Sequence, residues 1–185
     1  MDIRQHGSGN AGGTNVMRVL GWKVGLAVIL VDLFKGVVAT IFIARLFWDP
    51  SLPFQNRTPF EDFTVVQIIC GMAAILGHIW TLFAGFKGGK GVATGLGVLL
   101  AYMWPAALGA AATWLIVAVL FRYSSLAAVS AAISAPLWAW IFAAEPTQPL
   151  VVLAIVLVVL WRHQGNIGRL LRGEESKISF KKTSA

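Results

Sequence analysis

Val92-Ala93-Thr94-Gly95-Leu96-Gly97-Val98-Leu99-Leu100-Ala101-Tyr102-Met103-Trp104-Pro105-Ala106-Ala107, running on without a charge to Phe121, is the stretch on which the topology of this chain turns. Its 30 residues read either as one long kinked helix or as two short helices folded back at Trp104-Pro105, because proline lacks the N–H that continues the helical ladder. Charge decides between them. In the hairpin, the loops carrying Arg4, Arg18, Lys23, Lys87, Lys90, Arg122, Arg162, Arg169, Arg172, Lys177, Lys181 and Lys182 share one face of a membrane. Only Arg45 and Arg57 then remain on the other face, beside Asp49, Glu61, Asp62 and Glu145. A single span would scatter this bias, and basic loops gather on the cytoplasmic side, so we read a hairpin.

The composition requires a membrane. With 185 residues, 57% hydrophobic and 12% charged, and a mean hydropathy of +0.74, the chain cannot coat a soluble domain. The expected fold is an all-α integral membrane protein, a polytopic helical bundle forming one membrane domain over residues 1–185. Val24 to Phe47 and Phe63 to Phe86 are full-length spans, with Leu126 to Ala144 and Pro149 to Trp161 following the hairpin. That makes about six transmembrane helices, some short: the hairpin arms, of about 13 and 16 residues, fall below the roughly 20 of a full crossing. Segments 1–23, 85–94 and 163–185 are expected on the cytoplasmic side. The formal charge of +7 suits anionic headgroups or an anionic substrate rather than nucleic acid, since Lys and Arg are scattered between spans. Cys70 is the sole cysteine and excludes an internal disulfide and a cysteine metal site. The polar start, Met1 to Asn15, has no apolar core of a cleavable signal.

Immediately before the hairpin lies Gly85-Phe86-Lys87-Gly88-Gly89-Lys90-Gly91. Glycines leave amides open to a polyanion, and two ammoniums supply the opposite charge, a composition that suits a phosphate cradle as well as a basic loop. It is not a nucleotide P-loop, because Gly85 stands one residue too close to Gly89-Lys90 and Gly91 replaces the hydroxyl residue. Gly7, Gly9 and Gly12 fit a dinucleotide fingerprint by spacing but have no strand before them. Two further polar clusters share the charged face. Ser8-Gly9-Asn10-Ala11-Gly12-Gly13-Thr14-Asn15 precedes Arg18, and His163-Gln164-Gly165-Asn166-Ile167-Gly168-Arg169, if helical, aligns His163, Asn166 and Arg169 one turn apart. Together they offer cations, amides, hydroxyls and one imidazole, a set suited to a phosphorylated small molecule. No metal-ligand spacing occurs. Asp32 and Lys35, at i and i+3 inside a span, read as a structural ion pair or a functional one, and His78 as a structural residue near a helix end.

Those three clusters, in order, with Asp32-x-x-Lys35-Gly36, Gly77-His78 and Arg122-Tyr123-x-Ser125-Leu126, closely resemble the motifs of the bacterial PlsY family of acyl-phosphate:glycerol-3-phosphate acyltransferases. The resemblance covers nearly the whole chain. It implies transfer of a fatty acyl group from acyl phosphate to the 1-hydroxyl of sn-glycerol 3-phosphate at the cytoplasmic side of the inner membrane. The products are 1-acyl-sn-glycerol 3-phosphate and phosphate, the first step of phospholipid synthesis. No cofactor is implied; the partners are the two substrates, the bilayer and an enzyme that forms acyl phosphate. The implied catalytic residues are Ser8, Asn10, His163 and Asn166, with Thr14, Asn15, Arg18, Lys87, Gly88, Gly89, Lys90, Ser125 and Arg169 binding substrate. Arg18, Lys90 and Arg169 would clamp phosphate. Either His163 or a substrate phosphate would take the hydroxyl proton, and attack would be direct, without an acyl-enzyme. The alternative class is a phosphate or organic-anion transporter, which also uses buried cations and broken helices. The acyltransferases with a His-x-x-x-x-Asp motif do not fit, since none of His6, His78 or His163 has Asp five residues on. Two departures stand out. The family has seven spans, with one before the Ser-Gly-Asn motif, so that helix is expected to be missing here through a misassigned start; and Thr81 replaces a usual proline.

Overall fold

The computed structural model describes residues 1–49, 51 and 58–178. Arg57, Lys181 and Lys182, used in the charge comparison, lie outside them. Among the described residues there are nine α-helices: α1 (Gly13–Leu20), α2 (Trp22–Val38), α3 (Ala44–Trp48), α4 (Phe63–Ile79), α5 (Val92–Tyr102), α6 (Trp104–Phe121), α7 (Ser124–Phe142), α8 (Gln148–Arg162) and α9 (Gln164–Leu171). One π-type turn, Ala39–Ile43, joins α2 to α3, where the Thr40 hydroxyl donates 2.8 Å to the Gly36 carbonyl. The two helices thus form one apolar rod, Trp22–Trp48.

The hairpin is present. Met103 is non-helical (φ −152°, ψ 76°) and separates α5 from α6, while Pro105 stands in the first turn of α6, where no N–H is needed. Proline therefore starts the second arm rather than breaking it, and α6 reaches 18 residues, enough to cross alone. The first arm, α5, has 11 residues. By length and apolarity four stretches can cross among the described residues, Trp22–Trp48, Phe63–Ala84, α6 and α7, or five if α8 and α9, bent by 61°, count as one. The six expected spans include α5 and α8, which are the short ones.

Small residues let these helices close on one another, as in lipid, where packing rather than water exclusion drives association. A Cβ on Gly97 would lie 2.0 Å from the Leu33 carbonyl oxygen, and one on Gly36 2.3 Å from that of Thr94, so α2 and α5 cross at backbone contact. Ala106, Ala107 and Ala110 of α6 and Ala132, Ala135 and Ala139 of α7 are buried in one core with Leu99, Val152, Val156 and Val159. Thr81 does not cost the chain its bend. α4 ends at Ile79, and the Thr81 carbonyl accepts from Phe86 N–H at 2.9 Å to close the turn that proline would have favoured.

Candidate active site

The helix starts dictate where the site lies. α1, α5, α7 and α9 all begin at one end of the bundle, and Gly13, Val92, Ser124 and Asn166 from their first turns line one cavity of about 330 Å³. The first turns of four helices thus border one space with the ends of α4 and α8, at His78 and His163, beside them, and first-turn amides suit an anion. The remaining wall is mostly apolar, with Leu96, Leu99, Trp114, Val152, Ile155 and Val156, and also carries Arg18, Asp32, His78 and His163. Beside it opens a polar cleft of about 970 Å³ that carries Arg4, Lys87, Lys90, Arg162 and Arg169 against Asp2. Ser8, Asn10, Lys90 and Asn166 belong to both spaces.

At that junction the side chains form a chain of hydrogen bonds. Lys90 Nζ donates to Asn166 Oδ1. Asn166 Nδ2 donates to Glu175 Oε1 at 2.7 Å, and Arg169 Nε to Glu175 Oε2 at 2.7 Å. Burial alone would raise the Glu175 carboxyl, but the hydrogen bonds it accepts hold it below the usual carboxylate range. Lys90 is pushed down to about 8, first by burial and then by the nearby Arg169, Arg162 and Arg18, with Glu175 acting the other way. His163, 2% exposed, has Nδ1 2.7 Å from the Val159 carbonyl. A carbonyl only accepts, so Nδ1 carries the proton and Nε2 keeps a free lone pair.

The expected residues converge from three distant segments, with differences in role. The Gly88 and Gly89 amides are not open: they donate to the Ile79 and His78 carbonyls at 2.9 and 3.2 Å and cap α4. Glycine is required there for space, since a Cβ on Gly88 would lie 1.9 Å from the His78 carbonyl oxygen. The open amides lie a few residues further on, at the start of α5, where Gly95 makes the first backbone bond, to Gly91. Asn15, 2% exposed, works inside its own loop: Nδ2 donates to the Ile3, His6 and Asn10 carbonyls, and Oδ1 accepts from Ser8 N–H at 2.8 Å. It shapes the segment that presents Ser8 and Asn10. Thr14 meets Ser124 at 3.2 Å, and Arg18 reaches the apolar cavity without a hydrogen-bond partner among the described residues. Ser125 lines that cavity as well, and Lys87 only the polar cleft.

Three participants carried no sequence signal strong enough to assign them. Glu175 closes the last motif but had no role without its partners. Arg4 lies outside every motif and donates 2.7 Å to the Ala84 carbonyl. Arg162 lines the cleft with Nε buried and unpartnered among the described residues.

A helical membrane protein whose cationic cleft opens directly into an apolar cavity is built to handle an amphipathic anion. The glycerol-3-phosphate acyltransferase family model matches residues 1–173, and the chain belongs to that family. It is 44% identical over 184 residues to the glycerol-3-phosphate acyltransferase of Rhodospirillum rubrum, covering 100% of this chain and 82% of the relative. The Methylococcus capsulatus protein of the same name is 40% identical over 181 residues, covering 98% and 84%. The fold matches a crystal structure of PlsY, an integral membrane glycerol 3-phosphate acyltransferase, in its glycerol 3-phosphate form. The TM-score is 0.81 at 36% identity, over 97% of this chain and 83% of the other. A lysophosphatidic acid form of PlsY matches with a TM-score of 0.77 at 35% identity, over 94% and 82%.

Proposed function

We propose that the protein transfers a fatty acyl group from acyl phosphate to the 1-hydroxyl of sn-glycerol 3-phosphate, releasing 1-acyl-sn-glycerol 3-phosphate and inorganic phosphate. The observation that carries this reading is the junction: Ser8, Asn10, Lys90 and Asn166 border both the cationic cleft and the apolar cavity. A donor with its tail in the cavity and its phosphate at the mouth has its carbonyl among these four. The acceptor's phosphate then lies in the cleft, held by Lys87, Arg162 and Arg169, with Lys90 between the two phosphates and Arg18 on the donor side.

An acyl phosphate is already an activated mixed anhydride, so the protein has to hold two anions together and offset their repulsion. The hydroxyl oxygen attacks the carbonyl carbon, a C–O ester bond forms, and the C–O bond to phosphate breaks with its electrons leaving on phosphate. His163 Nε2 takes the hydroxyl proton, and the Ser8 and Asn10 side chains steady the carbonyl oxygen as it gains charge. No acyl-enzyme is formed. The basic loops favour a site on the cytoplasmic side of the inner membrane, where an acyl-phosphate-forming enzyme supplies the donor.

The test is turnover by the purified protein in detergent or vesicles with palmitoyl phosphate. Phosphate and 1-acyl-glycerol 3-phosphate should appear in equal amounts, only when glycerol 3-phosphate is present, and palmitoyl-CoA should not serve as donor. A stoichiometric phosphate burst from acyl phosphate alone would replace direct attack by an acyl-enzyme.

A further inference from the structure

Two features of the sequence are left over by this reaction, the Asp32/Lys35 pair and His78, and the fold brings them together. Lys35 Nζ lies 2.6 Å from Asp32 Oδ1 and 2.6 Å from His78 Nδ1, which is itself 3.4 Å from Asp32 Oδ1. The Asp32 and His78 side chains are 12% and 11% exposed. With the lysine charged, its ammonium can only donate, so His78 Nδ1 accepts and the ring is fixed in rotation with its proton on Nε2. The Lys35 side chain is 38% exposed, and an ion pair open to solvent is weak ground for stability. What these three groups add is a fixed ring orientation.

That ring presses on the segment before Lys90. A Cβ on Gly89 would lie 2.2 Å from His78 Nε2. The His78 and Ile79 carbonyls, left open at the end of α4, accept the Gly89 and Gly88 amides. Lys90 follows Gly89 directly and reaches Asn166. We propose that Asp32, Lys35 and His78 form a brace between α2 and the end of α4 that sets the position of Lys90 for anion binding, which makes them positioning residues for the reaction above. This inference rests on that function only in naming the anion.

The full-length protein is compared with His78→Ala, His78→Asn, Asp32→Asn and Gly89→Ala, each checked for a cooperative thermal transition. Two readouts apply: glycerol 3-phosphate affinity by calorimetry, and the pH dependence of acetylation at Lys90 by mass spectrometry, which needs no substrate. The groups facing Lys90 are Arg18 on α1, Arg162 on α8, and Asn166, Arg169 and Glu175 on and after α9, with His163 between the last two helices. None of these is altered by the substitutions.

In His78→Ala and Asp32→Asn, affinity should fall at least about tenfold with kcat within about threefold. The acetylation midpoint of Lys90 should move up from about 8 toward the ordinary lysine range as the side chain swings to water. His78→Asn, whose amide oxygen takes the place of Nδ1 but which has no ring to meet Gly89, should stay close to His78→Ala in both. Gly89→Ala should be damaging alone and much less so when combined with His78→Ala, which removes the atoms it strikes. Unchanged affinity and an unchanged midpoint in folded His78→Ala and Asp32→Asn overturn the brace, as does full recovery of both by His78→Asn. A wild type that binds glycerol 3-phosphate but does not turn over acyl phosphate overturns the donor assignment instead, and the Lys90 readout still decides the brace.

Discussion

Replacing Lys90 by methionine keeps the length and most of the volume of the side chain and removes only its charge. The ammonium stands at the junction of the two spaces, hydrogen-bonded to Asn166, where the proposed reaction puts the donor phosphate and the reacting carbonyl. A hydrogen bond to a charged group contributes about 1.5–3 kcal/mol. A unit charge about 4 Å from an anion at an effective dielectric of about 20 contributes about 4 kcal/mol. The two are descriptions of one contact, not additive terms, so a loss of about 2–4 kcal/mol is expected. At 1.36 kcal/mol per decade, kcat/KM should fall about 30-fold to about 10³-fold. Stability should hold or improve, since the lost cation was buried and repelled by Arg18, Arg162 and Arg169. The assay is glycerol 3-phosphate-dependent phosphate release from palmitoyl phosphate, beside a thermal unfolding scan. A folded Lys90→Met enzyme within about threefold of the parent kcat/KM would refute the placement of the donor phosphate at this junction.

Lys90, Glu175 and Gly97 carry the further outcomes. Lys90 releases its proton near 8 in the folded protein and near 10.5 when unfolded, so stability should rise with pH across that window. Affinity for glycerol 3-phosphate should fall across it, about tenfold by pH 9 in calorimetry, and Lys90→Arg, whose charge does not titrate there, should flatten the profile. Glu175→Gln removes the charge that ties Asn166 to Arg169 while keeping its shape; kcat/KM should drop about tenfold or more with the thermal midpoint little changed, and an unaffected rate would detach Glu175 from the site. Gly97→Ala drives a methyl into the Leu33 carbonyl at the crossing of α2 and α5 and should destabilise by about 1–3 kcal/mol in detergent unfolding, with the KM of the folded fraction unchanged.

How much of this was legible in the sequence depends on whether the signal was local. Apolar length and the bias of basic loops sufficed for the hairpin at Trp104-Pro105, because both act on the chain segment by segment. Helical spacing likewise put Asn166 and Arg169 one turn apart on α9, where both reach Glu175, whereas His163 stands at the bend before α9 and turns back to the Val159 carbonyl of α8. The glycine-lysine segment misled in one respect, since its composition says that amides can be open without saying whether a neighbouring helix end needs them. The end of α4 claims the Gly88 and Gly89 amides, and the backbone donors left without such a bond lie in the first turn of α5. Glu175, Arg4 and Arg162 were hidden for the same reason: their worth lies in partners brought near only by the folded chain. Asn15 shows the converse, a polar side chain in a substrate-binding motif that spends its hydrogen bonds on shaping the loop. A motif therefore marks residues that serve one site without separating those that touch substrate from those that hold them in place. Here the separation follows from counting which donors and acceptors the fold has already used.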